Sequence, residues 1–174
     1  MKSINVFIIL LIFVLTGMIS CNNKQTMDEL NKYQQKEVIE AQNIELVKQT
    51  IHFLDIEDYG SMRKNNSEDF KVFIGSSDKP ISFDEGIPLF KMLHYAFPDY
   101  SHHIENIFAS GDYVAVQFLF SAVHKNQFQN IPPTNKKIEY KGIQIYRIRN
   151  NKIETIHAIE DNLTLMNQLG LELK

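Results

Sequence analysis

Residues 151–170 read NKIETIHAIEDNLTLMNQLG, and two different periods meet within them. Ile153, Thr155, His157, Ile159 and Asp161 alternate with Glu154, Ile156, Ala158 and Glu160, the two-residue period of a strand over 152–161. From Asn162 the spacing becomes that of a short helix, closed near 169 by Gly170, a residue that tolerates the left-handed turn after a helix. Immediately upstream, 138–149 form a second strand, and Asn150 and Asn151 supply the turn between the two.

Working back toward the N-terminus, the same signal repeats. Strands over 104–109 and 113–124 flank Ser110, Gly111 and Asp112, a short loop suited to a hairpin. Val114, Val116, Phe118, Phe120, Ala122 and His124 share one face of the second strand. Pro132 and Pro133 exclude a central strand in the stretch that follows. Before these strands the pattern is helical. Ile44, Val47, Ile51 and Leu54 fall three and four apart, with Asn43 as the expected N-cap. A short helix near 61–66 leads to a brief strand, DFKVFI (69–74). Ser82 and Glu85 have the spacing of a capping box and open a helix to about Ala96, with Ile87, Phe90, Leu93 and Phe97 as its buried stripe. Pro88 fits that helix only near its first turn, because deeper it removes a hydrogen bond. Helices first and antiparallel hairpins last is the α+β pattern.

The chain starts differently. Lys2 precedes an apolar run, VFIILLIFVL (6–15), which at 1.5 Å per residue spans about 15 Å, half a bilayer's hydrocarbon core. That length suits a signal peptide better than a membrane span. Cys21, the only cysteine, follows TGMIS directly. The arrangement resembles a bacterial lipoprotein signal, with cleavage before Cys21 and lipid on its thiol; Met18 departs from the usual leucine. An ordinary signal with an incidental cysteine is the alternative. A single cysteine excludes an internal disulfide. Residues 22–42 are polar and read as a tether, leaving a domain over 43–174. Removing 1–20 takes away one lysine and no acid, so the net charge moves from −3 to −4. This acidic balance carries no electrostatic footprint for nucleic acid. The expected location is the cell envelope, exported and membrane-anchored.

Several stretches resemble the SnoaL-like polyketide cyclases, or ester cyclases, of the NTF2-like superfamily: AFPDY (96–100), SGDYVAVQF (110–118), FQNIPPTNKKIEYKGIQIYRI (128–148) and 151–170. The resemblance covers about 43–170. It implies a cone-shaped α+β barrel in which a curved antiparallel sheet wraps the helices around a ligand pocket. It further implies ring closure by an intramolecular aldol reaction without metal or cofactor, with an aspartate of the last strand as acid/base. Asp161 stands at the matching place, and His124 matches a histidine common after the long strand. Phe73 stands where the family often has histidine, and His157 where it often has tryptophan; this chain has no tryptophan.

Read from the residues, the face of His157 and Asp161 suits a pocket wall, apolar with a few placed polar groups. Asp161 also precedes a helix and is equally an N-cap candidate. His157 and His124 are pocket groups or barrel histidines satisfied by neighbours. Tyr146 shares a face with Tyr140, Gly142 and Gln144, and periodicity leaves open whether that face looks inward. The expected catalytic set is therefore Asp161, His157 and Tyr146, with His124, Phe73 and Phe118 against the ligand, a small hydrophobic carbonyl compound. His102 and His103 are adjacent and point to opposite faces, and no zinc-like spacing, serine triad or phosphate loop occurs. A non-catalytic binding module is the second reading, and a homodimer through the open sheet face fits either.

Overall fold

The computed structural model describes the backbone of residues 2–171 and the side chains of residues 24–171. The expected signal segment and the lipidation of Cys21 lie outside the described side chains. The chain divides into two units, Met1–Ile39 and Glu40–Lys174. The first consists of the N-terminal part of α1 (Lys2–Asp55), with Met27, Leu30, Tyr33 and Val38 exposed. Among the described residues no helix is long and apolar enough to cross a membrane.

In the second unit the elements follow the expected order: the C-terminal part of α1, α2 (Tyr59–Asn65), β1 (Asn66–Ile74), α3 (Phe83–Ala96), β2 (Ser101–Ser110), β3 (Tyr113–Val123), β4 (Lys137–Arg149), β5 (Lys152–Glu160) and α4 (Asn162–Leu169). The sheet runs β1-β5-β4-β3-β2, with β1 parallel to β5 and every other pair antiparallel. It is curved but does not close, so β1 and β2 remain edges of an open cone instead of meeting as a barrel.

The helical stripe is as expected at Val47, Ile51 and Leu54, all buried. Asn43 is not its N-cap. It lies inside α1 and is buried, and its amide donates to the Gly111 carbonyl (3.0 Å), while Glu40 accepts from the Gly111 amide (2.7 Å). One helix face thus holds both backbone groups of the β2–β3 turn. The capping box forms: Ser82 accepts from the Glu85 amide, and the Glu85 carboxylate accepts from the Ser82 amide (2.8 Å). Pro88 sits within α3. Ile87, Phe90 and Leu93 are only half-buried, because Phe90 and Leu93 border a cavity and not a filled core.

β3 alternates as read, with Val114, Val116, Phe118, Phe120 and Ala122 all facing inward. On β4 the inward face is Ile138, Tyr140, Gly142, Gln144, Tyr146 and Ile148, which settles the ambiguity left by periodicity; Ile143 and Ile145 are exposed. Gly142 is required by close approach, since any Cβ there would collide with the ring of Phe118 on the paired strand.

β5 departs from a simple alternation. Arg147 pairs with Thr155 but Ile148 pairs with Ile153, so β5 holds one extra residue, Glu154, a β-bulge. The bulge reverses the faces beyond it. Ile153 is inward, and so are Ile156 and Ala158, whereas Thr155, His157 and Ile159 turn outward with the opposite parity. The expected inward set of Thr155, His157, Ile159 and Asp161 is corrected to Ile156, Ala158 and Glu160.

Candidate active site

Between the sheet and the helices lies a cavity of about 390 Å³. Its walls are mostly aliphatic and aromatic: Ile51 and Leu54 of α1, Val72 of β1, Phe90 and Leu93 of α3, and Leu165 of α4. Its polar lining includes Tyr100, His102, Tyr140, Gln144, Tyr146 and Glu160 in and beside the sheet, with Thr50, Gln129 and Asn162 elsewhere on the wall. No lysine or arginine lines it among the described residues. Likewise, no group of three or more His, Cys, Asp or Glu side chains is gathered there as metal ligands would be.

The anchoring interaction joins the last turn of α1 to the start of β2. Asp55 Oδ1 lies 2.6 Å from His102 Nδ1, and Asp55 Oδ2 accepts from the His102 backbone amide at 3.1 Å. His102 Nε2 faces the Tyr100 hydroxyl at 3.3 Å. The imidazole is enclosed, with a side chain 3% exposed, and Phe118 packs edge-on against it at 4.7 Å. A carboxylate bonded to one ring nitrogen fixes the tautomer and leaves the other nitrogen as the base.

Glu160 enters from β5, partly buried and bonded to the Tyr140 hydroxyl. Burial raises its carboxyl above the usual range; the nearby His102 and the Tyr140 bond only partly offset this. Burial also raises Tyr140 and Tyr146, and Glu160 adds to both effects. Tyr146 donates to Gln144 Oε1 at 2.5 Å, leaving the Gln144 amide nitrogen as a donor on the cavity wall.

The expected site residues fall elsewhere, with one exception. Tyr146 lines the cavity. Asp161 is the N-cap of α4: Oδ1 accepts from the Thr164 amide (2.9 Å) and Oδ2 from its hydroxyl (2.7 Å), and these bonds hold the carboxyl below its usual range. A carboxylate so held is a poor base near neutral pH. His157 is exposed on the outer face and stacks on Phe73 at 4.6 Å, so neither touches the cavity. His124 is fully buried, and its Nδ1 accepts from the Thr134 amide (3.2 Å), which leaves Nε2 buried without a partner. It ties down the proline-containing loop, and burial lowers its pKa. Phe118 is fully buried behind His102 and holds that ring without lining the cavity.

Three comparisons place this geometry. The SnoaL-like polyketide cyclase profile matches residues 44–169. The chain belongs to this family. The SnoaL-like fold is shared with AclR of Streptomyces galilaeus, a candidate hydroxylase, at TM-score 0.69 and 22% identity over 75% of this chain and 96% of that one. A candidate SnoaL-like polyketide cyclase from Jannaschia sp. CCS1 superposes at TM-score 0.70 and 19% identity, covering 78% and 96%. A candidate polyketide cyclase from Acidithiobacillus ferrooxidans does so at 0.66 and 25%, covering 74% and 94%. No curated protein matches the sequence significantly. This SnoaL-like chain thus has the NTF2-like cone, with its polar groups supplied by α1, β2, β4 and β5.

The raised carboxyl of Glu160 has a consequence for stability. Folding favours its protonated form, so its contribution is fully present below the unfolded pKa of about 4.3 and is lost as pH rises through the folded value. Glu160→Gln keeps an acceptor for Tyr140 and removes this cost. In calorimetric melts the variant is expected to outlast the wild type at pH 8, with the gap closing at pH 4. An equal loss at both pH values would mean the carboxylate stabilises the fold.

Proposed function

We propose that this SnoaL-like protein carries out acid/base chemistry on a small, hydrophobic carbonyl compound held in the cavity, by an aldol-type ring closure or a related lyase step for which side chains suffice. The observation that carries the reading is that an Asp55–His102 pair and a carboxyl of raised pKa open into one apolar cavity. A carboxylate-oriented imidazole and a carboxyl raised by burial, side by side, can divide the labour of base and acid. The His102 side accepts a proton from the carbon beside the carbonyl. The Gln144 amide, held in place by the Tyr146 hydroxyl, stands where an enolate oxygen needs a donor. Glu160, whose carboxyl burial raises above its usual range, is the group that returns a proton to the new alkoxide.

The test is deuterium wash-in beside the carbonyl of 2-tetralone in D2O, followed by NMR. Wild type is expected to accelerate it, and His102→Gln and Asp55→Asn to lose about 100-fold, the usual worth of a positioned base. Asp161→Asn should stay within about threefold, because its carboxylate caps a helix. Binding of 2-tetralone without any exchange by wild type would favour the binding-module reading.

Export and anchoring through Cys21 belong to the same proposal, supported by Lys2, the apolar run 6–15 and the placement of the lone cysteine. Cys21→Ser is expected to abolish palmitate labelling and move the protein from the membrane to the soluble fraction; retained label would refute it. Pairing of two copies through the outer sheet face is supported by a cross-strand row, Phe73, His157, Ile145, Ala115 and Phe108, bordered by Ile143 and Ile159. Sedimentation equilibrium should give twice the chain mass at micromolar concentration, and a monomer there would exclude it.

A further inference from the structure

We propose that Tyr100 is the side chain that meets the carbon acid, relaying its proton to His102, so that the base is a three-member chain of Tyr100, His102 and Asp55. This rests on the acid/base reading above and deepens it. The Asp55 carboxylate can only accept. Its contact with Nδ1 at 2.6 Å therefore places the imidazole proton on Nδ1 and the lone pair on Nε2. A lone pair must be met by a donor, so the Tyr100 hydroxyl, 3.3 Å from Nε2, directs its proton at His102. The remaining lone pairs of that phenolic oxygen are then available to a ligand.

Access points the same way. The His102 side chain is 3% exposed, closed off by Phe118 on one side and Tyr100 on the other, with ring centroids at 4.7 and 4.9 Å. Nε2 is already engaged by the Tyr100 hydroxyl at 3.3 Å. Tyr100 is itself wedged, its ring 4.5 Å from Phe120 and 4.7 Å from His94, and it lines the cavity.

In the step, the C–H bond beside the carbonyl breaks and its electron pair moves into the carbonyl to form the enolate. The proton goes to the Tyr100 oxygen while the original phenolic proton passes to Nε2. The products are enolate, neutral Tyr100 and an imidazolium facing the Asp55 carboxylate. Burial and nearby carboxylates raise the tyrosine well above its usual range, so a free phenolate is disfavoured and the two transfers occur together. The reverse sequence delivers a proton to an enolate or alkoxide.

The experiment compares Tyr100→Phe, which removes one hydroxyl and keeps the ring packing, with His102→Gln in the 2-tetralone exchange assay. Both are expected to lose about 100-fold, and the wild-type rate should fall linearly with the deuterium fraction of the solvent, because the phenolic proton in flight exchanges with solvent while the other comes from the substrate C–H bond. Tyr100→Phe within about threefold of wild type, with normal melting, overturns the relay and leaves His102 as the direct base. If wild type shows no exchange, it is the acid/base reading that fails. Nitrogen-15 NMR of the His102 ring then judges the geometry alone. A protonated Nδ1 with an Nε2 resonance that shifts in Tyr100→Phe supports the chain, and a protonated Nε2 refutes it.

Discussion

Between Ile153 and Ile156 the backbone of β5 carries one more residue than the stretch of β4 it pairs with, and the inner surface of the cone depends on that mismatch. Without the bulge, His157 would face the interior and Glu160 would face solvent. With it, Ile156 and Ala158 complete an apolar wall, and Glu160 arrives at the end of the strand opposite His102. A single-residue offset in a two-residue period exchanges one face for the other, so the chemistry of the cavity is set by backbone register.

Polar groups in such a cavity cost stability unless their hydrogen bonds are made. Asp55 uses both oxygens on one residue, the ring and the backbone amide of His102. Tyr146 and Gln144 satisfy one another two residues apart on the same strand face. Glu160 leans on Tyr140, and its remaining penalty appears as an easily retained proton.

Much of the architecture is legible in the sequence because it rests on local signals: the capping box at Ser82, the alternation of 113–124, and the stripe at Val47, Ile51 and Leu54. Tyr140, Gln144 and Tyr146 are already grouped by alternation, and only the direction of their face needed the third dimension. His157 and Asp161 mislead because a bulge leaves no mark in composition, and because an aspartate before a helix satisfies two patterns at once. Asp55 did leave a signal. It stands four residues after Ile51, a carboxylate on a buried apolar stripe, which asks for a partner. That the partner is His102, 47 positions away, depends on how the first helix crosses the sheet.

The grip of Glu40 and Asn43 on Gly111 has a mechanical meaning. Asn43 and Asp55 belong to one continuous helix, about 18 Å apart along its axis at 1.5 Å per residue. A helix transmits a lengthwise pull almost undiminished, and a slip of one ångström would draw Asp55 away from the imidazole. Fastened to the hairpin tip, the rod is clamped ahead of its working end, as a cable is clamped before its connector, so the carboxylate keeps its place beside the imidazole.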